Sequence, residues 1–209
     1  NMWVNPNVDT IVAATQEARQ YLISQGQPKN KIKVMSFPLN MKFFAKIAKT
    51  REEILSGLGL DPSKKTVLVS AGGQGIGDTE KYVKLLYEKG YPLNIIAVCA
   101  KNEALFKELS KLAGKESPAR IAVLGFVDNM HELLEASDFG VTKAGPSTVF
   151  EHLVKKVPPI ITHNAGLQEK GNVDFCLKNK VGWFINNEKE FLELIDRILN
   201  TGILEEYKE

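Results

Sequence analysis

The sequence predicts an α/β fold, a doubly wound parallel sheet of Rossmann-like type, on three observations. From Thr66 onward, short apolar runs alternate six times with amphipathic stretches. The runs are continuous in Val, Ile and Leu, the pattern of strands covered on both faces. Gly, Pro, Asn and Asp punctuate the junctions, so each strand is followed by a turn and then a helix.

Strands are expected over 66–71, 93–99, 121–124, 139–142, 159–162 and 182–185, and helices over 79–88, 103–112, 130–136, 148–154, 169–178 and 188–199. Six βα units imply the strand order 3-2-1-4-5-6. The ligand crevice then lies at the carboxyl ends of the first and fourth strands, where the order reverses. Ahead of this block, 9–15 reads as a strand, 16–25 as a helix stopped at Gly26, and 31–35 as a strand broken by Phe37-Pro38. One αβ unit is too little to bury a core. Residues 1–40 are therefore expected to be the end of an incomplete preceding domain. Residues 41–65 read as a linker with one helix at 51–58, whose Ile54, Leu55 and Leu58 recur at helical spacing. Residues 66–200 form the sheet domain, and 201–209 a short polar tail that either docks or frays.

The chain has 209 residues, 44% hydrophobic and 25% charged, with a net charge of +2. That balance argues against a dedicated nucleic-acid binder. Lysines cluster at Lys29, Lys31, Lys33, Lys42, Lys46 and Lys49, either as a solvated face or as a basic patch near an anionic membrane. Cys99 and Cys176 have no partner at metal-ligand spacing and read as core filler in a reducing compartment. No apolar run is long enough to span a bilayer, and no signal peptide is visible.

The chemistry concentrates at the fourth junction. Lys143-Ala144-Gly145 ends a buried strand, and Pro146, Ser147 and Thr148 open a helix. The first N–H groups of a helix lack intrahelical partners and sit at the positive end of its dipole, so such a turn attracts anions. Pro146 suits the first helical position because its missing N–H is no loss. Ser147 and Thr148 can cap the helix or offer hydroxyls to a phosphate. Glu151, one turn on, can accept from both hydroxyls of a ribose. An ordinary capped helix would look similar. The neighbouring loops favour a nucleotide sugar.

The glycine loop at 72–77, with Gly73, Gln74 and Gly75 at its centre, follows the first strand. Its spacing fits neither a dinucleotide fingerprint nor a P-loop, and it reads as a wall for a diphosphate or an approaching acceptor. After the fifth strand, Gln168, Glu169 and Asn172 surround a helix start, where amides that both donate and accept suit sugar hydroxyls. His131, His152 and His163 have no nucleophilic or acidic partner in a known motif. No Asp-X-Asp occurs, so no metal site and no cofactor is expected; helix dipole and loop amides would carry the leaving-group charge.

Taken together, Gly72-Gly73-Gln74-Gly75-Ile76-Gly77, Gly125-Phe126-Val127-Asp128-Asn129-Met130, Thr142-Lys143-Ala144-Gly145-Pro146-Ser147-Thr148 with Glu151, and Gln168-Glu169-Lys170-Gly171-Asn172 resemble the donor half of family 28 glycosyltransferases. The resemblance is strongest to the diacylglycerol branch, monogalactosyldiacylglycerol synthases and processive diacylglycerol glucosyltransferases. It covers the last two thirds of the chain, and residues 5–38 resemble the last αβ unit of the family's N-terminal domain.

The resemblance implies a GT-B fold, of which this chain holds the C-terminal half and a remnant of the N-terminal domain. It implies a UDP-hexose donor and an inverting transfer to a lipid acceptor such as diacylglycerol. Val127 and its neighbours would meet the uracil, with Phe126 and Met130 among the donor-binding residues. Pro146, Ser147 and Thr148 would hold the diphosphate, Lys143 and Gly145 would belong to the same site, and Glu151 would take the ribose. Gln168, Glu169 and Asn172 would address the hexose.

The general base belongs to the N-terminal domain in this family, so no catalytic residue is assigned and the chain alone is expected to be inactive. Peripheral attachment to the cytoplasmic side of a membrane, or to a plastid membrane, would run through that domain. Two alternatives are a peptidoglycan-type transferase using UDP-N-acetylglucosamine and a non-catalytic UDP-sugar-binding subunit with a separate acceptor partner. The sequence departs from the family pattern at His152, where a small residue is usual, at Val154-Lys155-Lys156-Val157, where a glycine turn is usual, and at Leu167.

Overall fold

A computed structural model describes residues 7–71, 78–163 and 166–208. Its contacts divide the chain into two units, Asn1–Leu39 and Asn40–Glu209. In the first, β1 (Ile11–Ala13) pairs in parallel with β2 (Ile32–Val34), and α1 (Gln16–Ser24) connects them. Thr15 caps α1 by accepting from the Ala18 amide. Ala13 and Ile32 are buried in this unit, whereas Val12, Tyr21 and Met35 stand out in solvent.

The second unit begins with a 3-10 turn, Met41–Phe43, and α2 (Arg51–Gly57), which Thr50 and Glu53 close with a capping box. The helix expected over 51–58 is present as Arg51–Gly57, and its Ile54 and Leu55 are buried in this unit's core. Six parallel strands follow: β3 (Thr66–Ser70), β4 (Asn94–Val98), β5 (Arg120–Leu124), β6 (Phe139–Lys143), β7 (Pro159–His163) and β8 (Trp183–Phe184). Between and after them come α3 (Thr79–Glu88), α4 (Glu103–Ser110), α5 (Met130–Glu135), α6 (Pro146–Val154), α7 (Leu167–Lys178) and α8 (Glu188–Asn200). The spatial order is β5-β4-β3-β6-β7-β8, the expected doubly wound order, with its reversal between β3 and β6.

Alternate strand residues feed opposite layers, as a pleated strand requires. Val67, Val69, Ile95 and Ala97 pack beneath Tyr82, Val83 and Leu86 of α3 and Phe191, Leu194 and Ile195 of α8. Leu68, Ile96 and Val98 face α2 and Leu133 and Leu134 of α5. A third, smaller cluster joins Val149 of α6 to Ile161 of β7 and to Val173 and Cys176 of α7. Both cysteines are buried and unpaired, and burial pushes their thiols up, to about 11 for Cys99 and about 12 for Cys176. They act as apolar filler, as expected.

Most element ends fall within one or two residues of expectation, and three of the differences bear on the site. β6 runs on through Lys143, because a register shift between Thr142 and Lys143 re-pairs it with His163. α6 starts at Pro146 rather than at 148, and α7 at Leu167 rather than at 169. The tail folds back within this unit as α9 (Glu205–Lys208): Ile203 and Leu204 are buried, and the Tyr207 ring lies 4.0 Å from that of Trp183. Among the described residues, no helix is long and apolar enough to cross a membrane.

Candidate functional site

The site is built on the β6–α6 junction. Ala144 continues the ladder past the strand end, its amide donating to the His163 carbonyl at 2.8 Å. Gly145 then turns the chain, and Pro146 takes the first helical position. Among the described residues, no side chain caps this helix. The Ser147 and Thr148 amides therefore meet whatever lies beyond the turn, and Pro146 and Ser147 are exposed there. The hydroxyls of Ser147 and Thr148 are likewise not spent on capping. A Cβ on Gly145 would sit 3.4 Å from Lys143 Cε and 3.7 Å from Glu169 Oε1, so the turn lies directly against that pair.

Lys143 Nζ is 3.5 Å from Glu169 Oε1, and Glu169 is only 8% exposed. Asn172 Nδ2 donates to the Ala144 carbonyl at 2.8 Å. That nitrogen braces the turn, a role its position in the sequence did not reveal. Asn172→Ala should leave this carbonyl unpaired and lower stability by about 1–2 kcal/mol, read as a shift in the urea midpoint.

Glu151 lies half-buried one turn into α6, and desolvation pushes its carboxyl up to about 7. Beside it, His152 is only 1% exposed, and burial holds its pKa down at about 4. The ring is thus neutral near pH 7. Nδ1 lies 2.8 Å from the Thr148 carbonyl and must carry the proton it donates there. Nε2 is buried without a partner among the described residues and faces Gly140 of β6, where an added Cβ would collide with the imidazole. Gly140 is what accommodates a histidine where the family usually has a small residue. The second departure also has a structural reading: Lys156 adopts φ 54 at the end of α6, the left-handed conformation a glycine would take freely. The Val157 amide closes back on the His152 carbonyl at 3.0 Å.

The carboxyl ends of β3, β6 and β7 border a small cavity of about 10 Å³, where Ser70, Thr142, Lys143 and Thr162 meet apolar side chains such as Val69, Tyr82 and Val141. Ser70 Oγ and Thr142 Oγ1, both from residues lining this cavity, are buried without partners among the described residues. The sequence does not disclose this cavity. Phe126, Val127 and Met130 sit on the β5–α5 corner, three strand positions from β6. Val127 and Met130 pack on the α2/α5 core layer. Phe126 is 67% exposed, with Lys101 Nζ 6.0 Å from its ring centroid. The Val127 amide and carbonyl make no backbone hydrogen bond among the described residues. Gly73, Gln74 and Gly75 lie outside the described residues, as does the side chain of Gln168.

A six-stranded doubly wound sheet, with a helix N-terminus beside its switch point and a carboxyl group one turn in, has the architecture of the doubly wound α/β class, in which ligands lie at the carboxyl ends of the strands. Residues 66–201 match the model of the glycosyltransferase family 28 C-terminal domain, and the chain belongs to that family. It is 32% identical over 201 residues to a processive diacylglycerol beta-glucosyltransferase of Bacillus pumilus, covering 95% of this chain and 51% of that protein. It is 28% identical over 200 residues to a probable chloroplastic monogalactosyldiacylglycerol synthase of Glycine max, covering 92% of this chain and 37% of the relative. The chain thus spans about half or less of the length of these relatives. The crystal structure of MurG from Acinetobacter baumannii superposes with a TM-score of 0.69 at 17% identity, over 96% of this chain and 55% of that one. That likeness shows the GT-B-type fold expected from the sequence.

Proposed function

We propose that this chain supplies the donor-binding domain of an inverting UDP-hexosyltransferase that acts on a lipid acceptor such as diacylglycerol. One observation carries the reading: the uncapped turn Gly145–Thr148 with the half-buried Glu151 behind it, inside a family 28 domain. The amides and hydroxyls of Ser147 and Thr148 hold the diphosphate at the positive end of α6, and Glu151 receives the ribose hydroxyls. Val127 meets the uracil edge with its free backbone groups, beside Phe126 and Met130. Glu169, aligned by Lys143, addresses the hexose, and the family resemblance assigns Gln168, Asn172 and the glycine loop to the same donor.

In the transfer, an acceptor hydroxyl attacks C1 of the sugar from the face opposite the diphosphate. The C1–O bond to phosphate breaks, and UDP departs with the electron pair. The hydroxyl proton passes to a base contributed by an acceptor domain. The α6 N-terminus stabilises the charge developing on UDP. The lipid acceptor is supported by the two relatives, both named for diacylglycerol products or substrates. Peripheral attachment to a membrane, on the cytoplasmic or plastid side, follows from such an acceptor.

Calorimetry of the chain with UDP, UDP-glucose, UDP-galactose and UDP-N-acetylglucosamine tests the proposal. Binding of UDP and of the two hexose donors, persisting in EDTA, is the expected result. A strict magnesium requirement would contradict diphosphate binding by helix dipole alone. Preference for UDP-N-acetylglucosamine would favour a peptidoglycan-type donor. Absence of binding, both here and in the protein joined to its acceptor domain, would overturn the reading.

A further inference from the structure

We infer that the segment 40–49 is a membrane-docking surface for an anionic bilayer, carried by the sheet domain itself. The segment is pinned by one aromatic and presents another. Asn40 Oδ1 accepts from the Lys42 amide at 3.0 Å and starts the 3-10 turn. Phe43 is buried, and its ring stands edge-on to His131 with centroids 6.1 Å apart. Ile47 packs on the same core layer as Val127 and Met130. With those two side chains turned inward, Met41 is left 75% exposed and Phe44 57% exposed.

Cations flank these two apolar side chains. Lys42 and Lys46 are exposed and form no ion pair among the described residues, and Lys49 reaches Glu132 at 3.2 Å. Along the chain no Asp or Glu occurs between Glu17 and Glu52, although the whole protein is nearly balanced at +2. Exposed Met and Phe straddled by unpaired lysines are the chemistry of an interfacial anchor: the apolar pair enters the headgroup boundary and the lysines meet anionic lipid. The same charge argues against a second copy of this chain as the occupant, since a two-fold contact would bring like lysines together. Because Phe43 and Ile47 rest on the β5–α5 corner, a bilayer held here lies beside the residues assigned to the uracil. The inference rests on surface chemistry and stands or falls separately from the donor reading.

Flotation of the full chain with vesicles tests it, comparing pure phosphatidylcholine with phosphatidylcholine containing about 30% phosphatidylglycerol. Binding to the anionic vesicles should exceed that to neutral ones by about tenfold or more, and should fall as salt is raised. Lys42→Glu with Lys46→Glu, and separately Met41→Ser with Phe44→Ser, should each lower partitioning by roughly tenfold. Both double variants should keep the parent's urea midpoint and UDP affinity. Equal binding to neutral and anionic vesicles would overturn the proposal, as would either double variant binding like the parent. A concentration-dependent dimer in sedimentation that the Met41/Phe44 variant abolishes would assign the surface to self-association instead.

Discussion

Gly140→Ala should destabilise the second unit by about 2–3 kcal/mol or more. The new Cβ would fall on the imidazole of His152, which is itself almost fully enclosed and held by its Nδ1–H bond to Thr148. Neither side can yield easily. Gly140 lies on β6 beside the switch point, and His152 lies on the helix whose first turn forms the candidate anion site. The steric account predicts a specific coupling. Gly140→Ala combined with His152→Ala should be more stable than Gly140→Ala alone, because the methyl then occupies space the ring has vacated. Urea unfolding of the four proteins of this cycle reads the coupling directly, and additive losses would show that the clash is not the cause. Acid adds a second readout. A His depressed to about 4 is neutral when folded, while the unfolded chain takes up a proton near 6.5, so its stabilisation is present above that pH and lost as pH falls towards 4. His152→Ala should remove that window.

Glu151→Ala should weaken UDP-glucose binding by about 1–3 kcal/mol, the value of charge-assisted hydrogen bonds to a diol. The raised pKa makes the same residue visible through pH. Desolvation holds the carboxyl at about 7, so below that pH the free protein carries Glu151 mostly protonated. Ribose hydroxyls donate best to the ionised form. Affinity should therefore fall as pH drops below 7, by at most about tenfold per unit, and level off above it. A nucleotide sugar is the ligand to use, because its doubly substituted diphosphate does not titrate in this range. Glu151→Gln should flatten the profile; an unchanged slope in that variant would remove Glu151 from the ribose. Stability of the free protein runs the other way. The folded state keeps a proton that the unfolded chain loses above about 4.5, so this group's contribution declines as pH rises from there to 7. Glu151 and His152 thus oppose each other in acid, and the parent's stability should vary less with pH than that of either single variant.

The order of the sheet was legible in the sequence because it depends on local signals. Six uninterrupted apolar runs and six helical patterns leave little choice about topology once crossovers are right-handed. The β6–α6 turn was legible for the same reason, since Gly145, Pro146 and the hydroxyls after it are consecutive. What escaped are contacts between residues far apart in sequence. Lys143 and Glu169 are 26 residues apart, and Asn172 and Ala144 are 28 apart. Neither pair has a spacing rule that would reveal it. The register shift after Thr142, which carries Lys143 onto His163, comes from pairing with β7 and not from any residue in β6. The residue that makes room for His152 escaped in the same way, because Gly140 lies on the preceding strand.

α2, whose Ile54 and Leu55 enter the core, is also held at its first residue. Arg51, the first residue of α2, donates to the carbonyls of Ala136 and Lys64, to Thr66 Oγ1 and to Asp138 Oδ2, while the Thr66 amide donates to the same Asp138 oxygen. One guanidinium therefore rivets α2 to the roots of β3 and β6 together. Those strands lead at their far ends to the glycine loop and to the Gly145 turn. Removing the Arg51 side chain would leave the Ala136 and Lys64 carbonyls and the Asp138 carboxylate to be satisfied by water at the roots of both strands.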